Sequence, residues 1–244
     1  MSPSGAPPLL QVHGLVKRFG GFRALDGVSL HLDAGEVLGL VGPNGSGKTT
    51  CINVISGLYA PDGGSVSLQG RAIGGMPMHR LARLGINRTF QSPKPFLSLT
   101  VRENVEIAAA YGHGRSTAPP DPDALLALME LDALAERAAG DLNSAQQKTL
   151  DLARALATAP RILLVDELAA GLNPAELLCM ADRLRAMAAR GMALLVVEHL
   201  MGFIDRVTDR VIVMNAGKEI FEGTLATATR DPDVIRVFLG GAHG

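Results

Sequence analysis

The chain of 244 residues has no tryptophan and only two tyrosines. With aromatics at 4%, it offers little flat surface on which exposed bases could stack. There is no basic excess either: 23 Lys+Arg stand against 24 Asp+Glu. A groove that tracks nucleic-acid phosphates needs such an excess, so charge and composition both argue against a DNA- or RNA-centred role. Cysteine is scarce. Cys51 and Cys179 have no metal-ligand spacing and read as small buried hydrophobes, which suits a reducing, cytoplasmic compartment. Long apolar runs are missing as well: 162–165 and 192–197 have the length of strands and are too short to span a bilayer. Any membrane association therefore has to come through a partner. Residues 1–8 lack the basic-then-apolar order of a secretion signal, and with three prolines beside Ser and Gly they read as a flexible leader.

What is present is a composition of 47% hydrophobic and 19% charged residues, the balance of a globular enzyme. It contains one specific motif. Gly42-Pro43-Asn44-Gly45-Ser46-Gly47-Lys48-Thr49-Thr50 fits G-x-x-x-x-G-K-[ST], the phosphate-binding loop. Its glycines let successive backbone N–H groups turn inward around phosphates, Lys48 reaches the β- and γ-phosphates, and the Thr49 hydroxyl is placed to ligate Mg²⁺. The flanks agree, with a buried strand over 36–41 and a helix over 48–58 whose positive end faces the anion. A nucleoside triphosphate is the expected ligand.

A second element stands at Ile162-Leu163-Leu164-Val165-Asp166-Glu167. Four apolar residues form a buried strand that delivers Asp166 to its tip, where it can hold Mg²⁺ through water. Glu167, immediately after, suits a general base that polarises an attacking water.

The surrounding pattern predicts strands over 11–19, 27–32, 37–41, 66–68, 162–165, 193–197, 210–214 and 219–222, with helices over 48–58, 174–190 and 200–205. Strands alternating with helices make an α/β fold with a mostly parallel sheet and an antiparallel β portion. Residues 84–159 read as a helical subdomain inserted into that core, within one domain over 9–244.

With these motifs in place, the chain resembles the ATP-binding subunit of an ABC transporter over nearly its whole length. Phe19 matches the family's adenine-stacking aromatic. Gln91, in Arg88-Thr89-Phe90-Gln91, matches the glutamine that contacts Mg²⁺ or water and the membrane subunit. Ala170-Gly171-Leu172-Asn173-Pro174 matches the loop through which two subunits communicate, and His199 matches the histidine beside the γ-phosphate. The phrases Gly85 to Gln91, Ala169 to Pro174, Val197 to Met201 and Asp233 to Gly240 are similar to the subgroup that imports branched-chain amino acids, urea or short amides.

The resemblance breaks at the signature. Leu142-Asn143-Ser144-Ala145-Gln146-Gln147 stands where the family has Leu-Ser-Gly-Gly-Gln and the subgroup Leu-Ser-Tyr-Gly-Gln-Gln. This segment of a family member contacts the γ-phosphate bound to the other subunit. Asn143 keeps an amide donor, while Ala145 adds a methyl where close approach is wanted. A Ser144–Gln147 capping box is expected to start the helix. Leu168 replaces the family's proline, and Leu200 a polar residue.

The resemblance implies Mg-ATP hydrolysis coupled to transport by membrane permease subunits, at the inner face of the cell membrane. It also implies a second ATPase subunit packed head to tail. Because this chain's own loop is complete and its signature altered, a heterodimer is favoured over a homodimer. A weakly hydrolysing regulatory subunit and a soluble phosphotransferase stay open at this point.

Overall fold

In a computed structural model, residues 7–89, 94–112 and 120–240 are described. The chain opens with two long strands, β1 (Leu10–Phe19) and β2 (Phe22–Leu32), then β3 (Val37–Val41) and α1 (Lys48–Ile55). β4 (Gly63–Leu68) and β5 (Arg71–Ala72) follow, then α2 (Met78–Arg83) and β6 (Ile86–Arg88). A helical stretch holds α3 (Val101–Gly112), α4 (Pro122–Leu128) and α5 (Ser144–Ala157). The chain then alternates through β7 (Ile162–Asp166), α6 (Pro174–Ala189), β8 (Ala193–Val197), α7 (Met201–Val207), β9 (Arg210–Asn215) and β10 (Lys218–Gly223). It closes with α8 (Leu225–Ala228) and α9 (Pro232–Gly240).

Two sheets result, in the orders β2-β1-β4-β5 and β10-β9-β3-β8-β7-β6. The first is antiparallel throughout. In the second, β9, β3, β8, β7 and β6 run parallel, and β10 alone is antiparallel. The expected mixed architecture is therefore present. β6 is a feature that periodicity missed: three residues pair with β7 as the edge of the main sheet, so the stretch from residue 84 begins on the sheet before it turns helical.

Two apolar clusters divide the main sheet by its pleat. Leu163, Val165, Leu194, Val196, Val211 and Val213 face one side, with α3, α5 and α6. Ile162, Leu164, Leu195, Val197, Ile212 and Met214 face the other, with α1 and the antiparallel sheet. This is why β7 and β8 read as unbroken apolar runs: a parallel strand covered on both faces has no polar side. Their carboxyl ends therefore lie along one edge of the sheet, and the candidates Asp166, Glu167 and His199 gather there.

The β9–β10 hairpin touches both sheets. Its two-residue turn, Ala216-Gly217, has φ of 45° and 80°, the positive values of a tight hairpin. Gly217 N–H donates to Ser46 O at 2.9 Å, and its carbonyl accepts from Asp26 N–H at 2.8 Å. A Cβ there would lie 2.9 Å from Ala24 O.

Candidate nucleotide-binding site

The loop between β3 and α1 is built on close approach. Gly42 has φ +147°, and a Cβ on it would sit 2.2 Å from Met214 O, so glycine alone fits. Ser46 is buried, while Asn44, Gly45 and Thr49 are exposed and Pro43, Gly47 and Thr50 partly so. Lys48 Nζ donates to Gly42 O at 2.8 Å, Pro43 O at 2.9 Å and Ser46 Oγ at 3.4 Å. The α1 N-terminus follows Gly47, with no side-chain cap and no acidic residue in its first turn. Its leading N–H groups and positive end thus point at the space an anion would take. Burial pushes the Lys48 ammonium below its ordinary pKa, and the charges of Glu167 and Asp166 oppose that. Cys51, on the same helix, is fully buried and its thiol is pushed up to about 12; it acts as a hydrophobe. Cys179 corrects the other half of that expectation, because its position on α6 faces out and is exposed.

Asp166 ends β7 with 3% of its surface exposed. Burial raises its pKa, Arg88 opposes the rise, Glu167 adds to it, and Lys48 lowers it. The Arg88 guanidinium, from the adjacent strand β6, lies 3.1 Å from Asp166 Oδ2. It also donates to Asn53 Oδ1 at 2.6 Å and Ser56 Oγ at 3.1 Å, both on the α1 side. Sequence reading missed Arg88 in this role, since a pairing 78 residues apart leaves no local trace.

Glu167 is half-buried and its φ is +48°, a left-handed conformation that costs a non-glycine residue about 1–3 kcal/mol. Its N–H donates to Val197 O at 2.9 Å. Leu168, in place of the family's proline, is 3% exposed and packs into the helical-side core. His199 stands just past β8, exposed, its Nδ1 3.9 Å from Glu198 Oε2. Glu198 itself is buried; burial raises its pKa, and the N–H groups of Ala169 and His199 hold it down. Lys48, Asp166 and Glu167 thus share one electrostatic neighbourhood at the ends of β3 and β7. Gln91 lies outside the described residues, as do residues 1–6 of the leader.

Phe19 ends β1 and is 43% exposed, so it is not a core aromatic. Tyr59 meets it edge-on at 5.2 Å, and the Lys17 ammonium lies 5.6 Å from its ring centre. Lys17 is itself held by Ala60 O at 2.8 Å and Asp62 Oδ1 at 3.1 Å. The ring is thus partly exposed, as a stacking platform requires.

The signature segment brings a correction. The α5 N-cap is Asn143, not Ser144. Asn143 Oδ1 accepts from Gln146 N–H at 2.9 Å, and Gln146 Oε1 accepts from Asn143 N–H at 3.0 Å. Both Asn143 and Ser144 have glutamine three residues on, so sequence alone could not choose; the extended Asn143, with φ −70° and ψ 170°, settles it. Ser144 becomes an exposed first-turn residue, and Ala145 a partly buried one. Since the cap uses Asn143 Oδ1, it does not engage the Nδ2 donors. A groove of about 310 Å³ runs from Asn143, Ala145 and Gln146 to Asn173 and Glu176 at the start of α6. A larger cavity of about 730 Å³, lined in part by Arg161, Met192 and Leu9, lies at the opposite ends of the strands and includes no phosphate-loop residue.

A family model described as ABC transporter matches residues 25–170. The high-affinity branched-chain amino acid transport ATP-binding protein BraF of Pseudomonas aeruginosa is 37% identical, covering 96% of this chain and 99% of its own. The corresponding LivG protein of Escherichia coli is 36% identical over the same shares. Among solved structures, the ADP conformation of MJ1267, an ATP-binding cassette of an ABC transporter, superposes with a TM-score of 0.87 at 32% identity. It covers 96% of this chain and 100% of that one. A dimeric post-hydrolysis state of the cassette MJ0796, bound to ADP and Pi, gives 0.78 at 26% identity, with 88% and 98% covered. Among the described residues, no helix is long and apolar enough to cross a membrane.

Proposed function

The chain belongs to the ABC transporter ATP-binding family, and we propose that it drives import of branched-chain amino acids or closely related small solutes by hydrolysing Mg-ATP. The observation that carries the solute class is the end-to-end similarity to relatives named for that transport. The family membership sets aside a soluble phosphotransferase. In this reading the chain sits at the inner face of the cell membrane and meets it through permease subunits, with no nucleic-acid partner.

The residues present fit the triphosphate and its metal. The loop from Gly42 to Thr50 is a backbone cradle whose path needs glycine at 42, where a Cβ would meet Met214 O at 2.2 Å. Thr49, Asp166 and Gln91 are the groups that would hold Mg²⁺, the Asp166 contact running through water. Mg²⁺ held there would supply neutralisation of the charge on the phosphates. Lys48 exchanges its loop carbonyls for phosphate oxygens. Glu167 takes the proton of the attacking water, and His199 steadies the charge that develops on the γ-phosphate. Phe19 stacks on adenine.

Two unlike subunits are favoured over two copies. This chain's loop, Asp166, Glu167 and His199 are complete, whereas Asn143, Ser144, Ala145 and Gln146 would serve the ATP held by the partner. With Ala145 crowding that contact, the site built on this chain's own loop hydrolyses fully only when a partner brings an unaltered signature. The test is the ATPase rate of the chain alone against Asn143→Ser with Ala145→Gly. Restoring a preorganised donor is worth about 10²–10³ in rate where the loss is complete, so the double change should raise turnover severalfold at least. No gain would sink the argument.

A further inference from the structure

Glu167 holds a left-handed backbone, and such strain persists only where neighbours fix the chain on both sides. On the N-terminal side this is β7, with Glu167 N–H bonded to Val197 O. On the C-terminal side, two charged side chains from distant elements reach in. Lys148, on the second turn of α5 and 6% exposed, donates its Nζ to Leu168 O at 3.0 Å and also to Ala170 O. Glu198, at the end of β8 and 1% exposed, accepts the intervening Ala169 N–H on Oε1 at 2.6 Å. Its other oxygen lies 3.4 Å from His199 N. Three successive residues after the base are thus held by two charged side chains from different elements. Such charge-assisted bonds in a dry interior are about twice as strong as neutral ones.

We propose that Lys148 and Glu198 are positioning residues which clamp residues 168–170 and thereby aim the Glu167 carboxylate, linking the signature helix α5 to the base of the same chain. Neither side chain needs to touch nucleotide. The clamp sits at a junction: Lys148 is one turn past Asn143 and Ala145, Glu198 adjoins His199, and the gripped segment runs into Asn173, the cap of α6. A displacement of α5, where the signature meets the partner's ATP, pulls directly on the chain that carries Glu167. The inference rests on Glu167 being the base.

The test uses the full chain and three variants. Lys148→Met removes one arm of the grip and leaves the Glu198 charge buried; Lys148→Met with Glu198→Gln removes both charges and keeps an oxygen for Ala169 N–H. Lys148→Arg keeps the donor. Single-turnover hydrolysis by the double variant should fall roughly 10–100-fold, as a misplacement near 1 Å can cost 10²-fold. Its ATP affinity should stay within about threefold of the parent, and Lys148→Arg should recover most of the rate. Amide hydrogen exchange over 167–171 should quicken while β7 and β8 stay protected. An unchanged rate in the double variant, unchanged exchange over 167–171, or affinity lost in step with rate overturns the clamp. Glu167→Gln run alongside separates the two levels: parental hydrolysis there removes the base itself, and the clamp's purpose with it.

Discussion

Replacing Arg88 with leucine would strip the buried Asp166 carboxylate of its ion-pair partner, leaving only the charge of Lys48 to offset it. The two side chains are 7% and 3% exposed, 3.1 Å apart, and the same guanidinium ties Asn53 and Ser56 to β6. Breaking a buried pair by removing one partner costs about 3–5 kcal/mol. Unfolding entropy for 244 residues is about 0.5 kcal/mol per kelvin, so the melting temperature should drop by roughly 6–10 °C. The loss should depend on pH in a definite direction. Burial already holds the Asp166 pKa above the ordinary value against the pull of Arg88; without Arg88 it rises further. A carboxyl whose folded pKa is raised favours the folded state when protonated and disfavours it once pH climbs through that pKa. The penalty in Arg88→Leu is therefore greatest at neutral pH and shrinks on acidification, as Asp166 takes a proton. Thermal melts by circular dichroism from about pH 8 to about pH 5 would follow this. Arg88→Leu combined with Asp166→Asn should lose less than the two single changes added together. A melting temperature within about 2 °C of the parent at neutral pH, a pH-independent loss, or strict additivity would refute the reasoning.

Three more outcomes are expected. Glu167→Gln should bind ATP with parental affinity and hydrolyse it about 10²–10⁴-fold more slowly; single-turnover assays at the parental rate would remove Glu167 as the base. Phe19→Ala should weaken ATP binding by about 5–150-fold, the equivalent of ~1–3 kcal/mol of stacking. Because Phe19 is exposed, the melting temperature should not move, and unchanged affinity in a binding titration would count against the platform. Asn143→Ala should lose ~1 kcal/mol, or about 2 °C, with the α5 cap, whereas Asn143→Ser keeps a capping oxygen. Equal melting of the two would show that the cap contributes little.

The parts of the site that were legible in the sequence are those written in contiguous residues. The phosphate loop needs its glycines next to one another, and a strand buried on both faces shows as the run before Asp166. What sequence reading missed is carried across distance. Arg88 meets Asp166 because β6 is the edge partner of β7, and a three-residue strand gives too short a pattern to reveal that. No contiguous motif assigns Lys148 or Glu198 a role; only their convergence on residues 168–170 gives them one. Cys179 was misjudged because the apolar stripe of α6 runs through Met180, Ala181 and Leu184, one position off the cysteine. The cap of α5 fell one residue from expectation because two neighbouring polar residues were equally competent. Chain periodicity had no means of ranking them.

The Ala216-Gly217 turn has the look of a site open to alteration: a surface hairpin tip, short and made of small residues, where an epitope or fluorophore would ordinarily be spliced in without harm. Here it is a rivet. Through one residue, Gly217, the backbone of the phosphate loop at Ser46 is joined to Asp26 of the antiparallel sheet, so the sheet carrying Phe19 and the loop carrying Lys48 share a mount. Lengthening that turn would unfasten the sheet that carries Phe19 from the loop that carries Lys48 while leaving each intact. The more forgiving place for a tag is β5, a two-residue edge strand with exposed residues on the far rim of the same sheet.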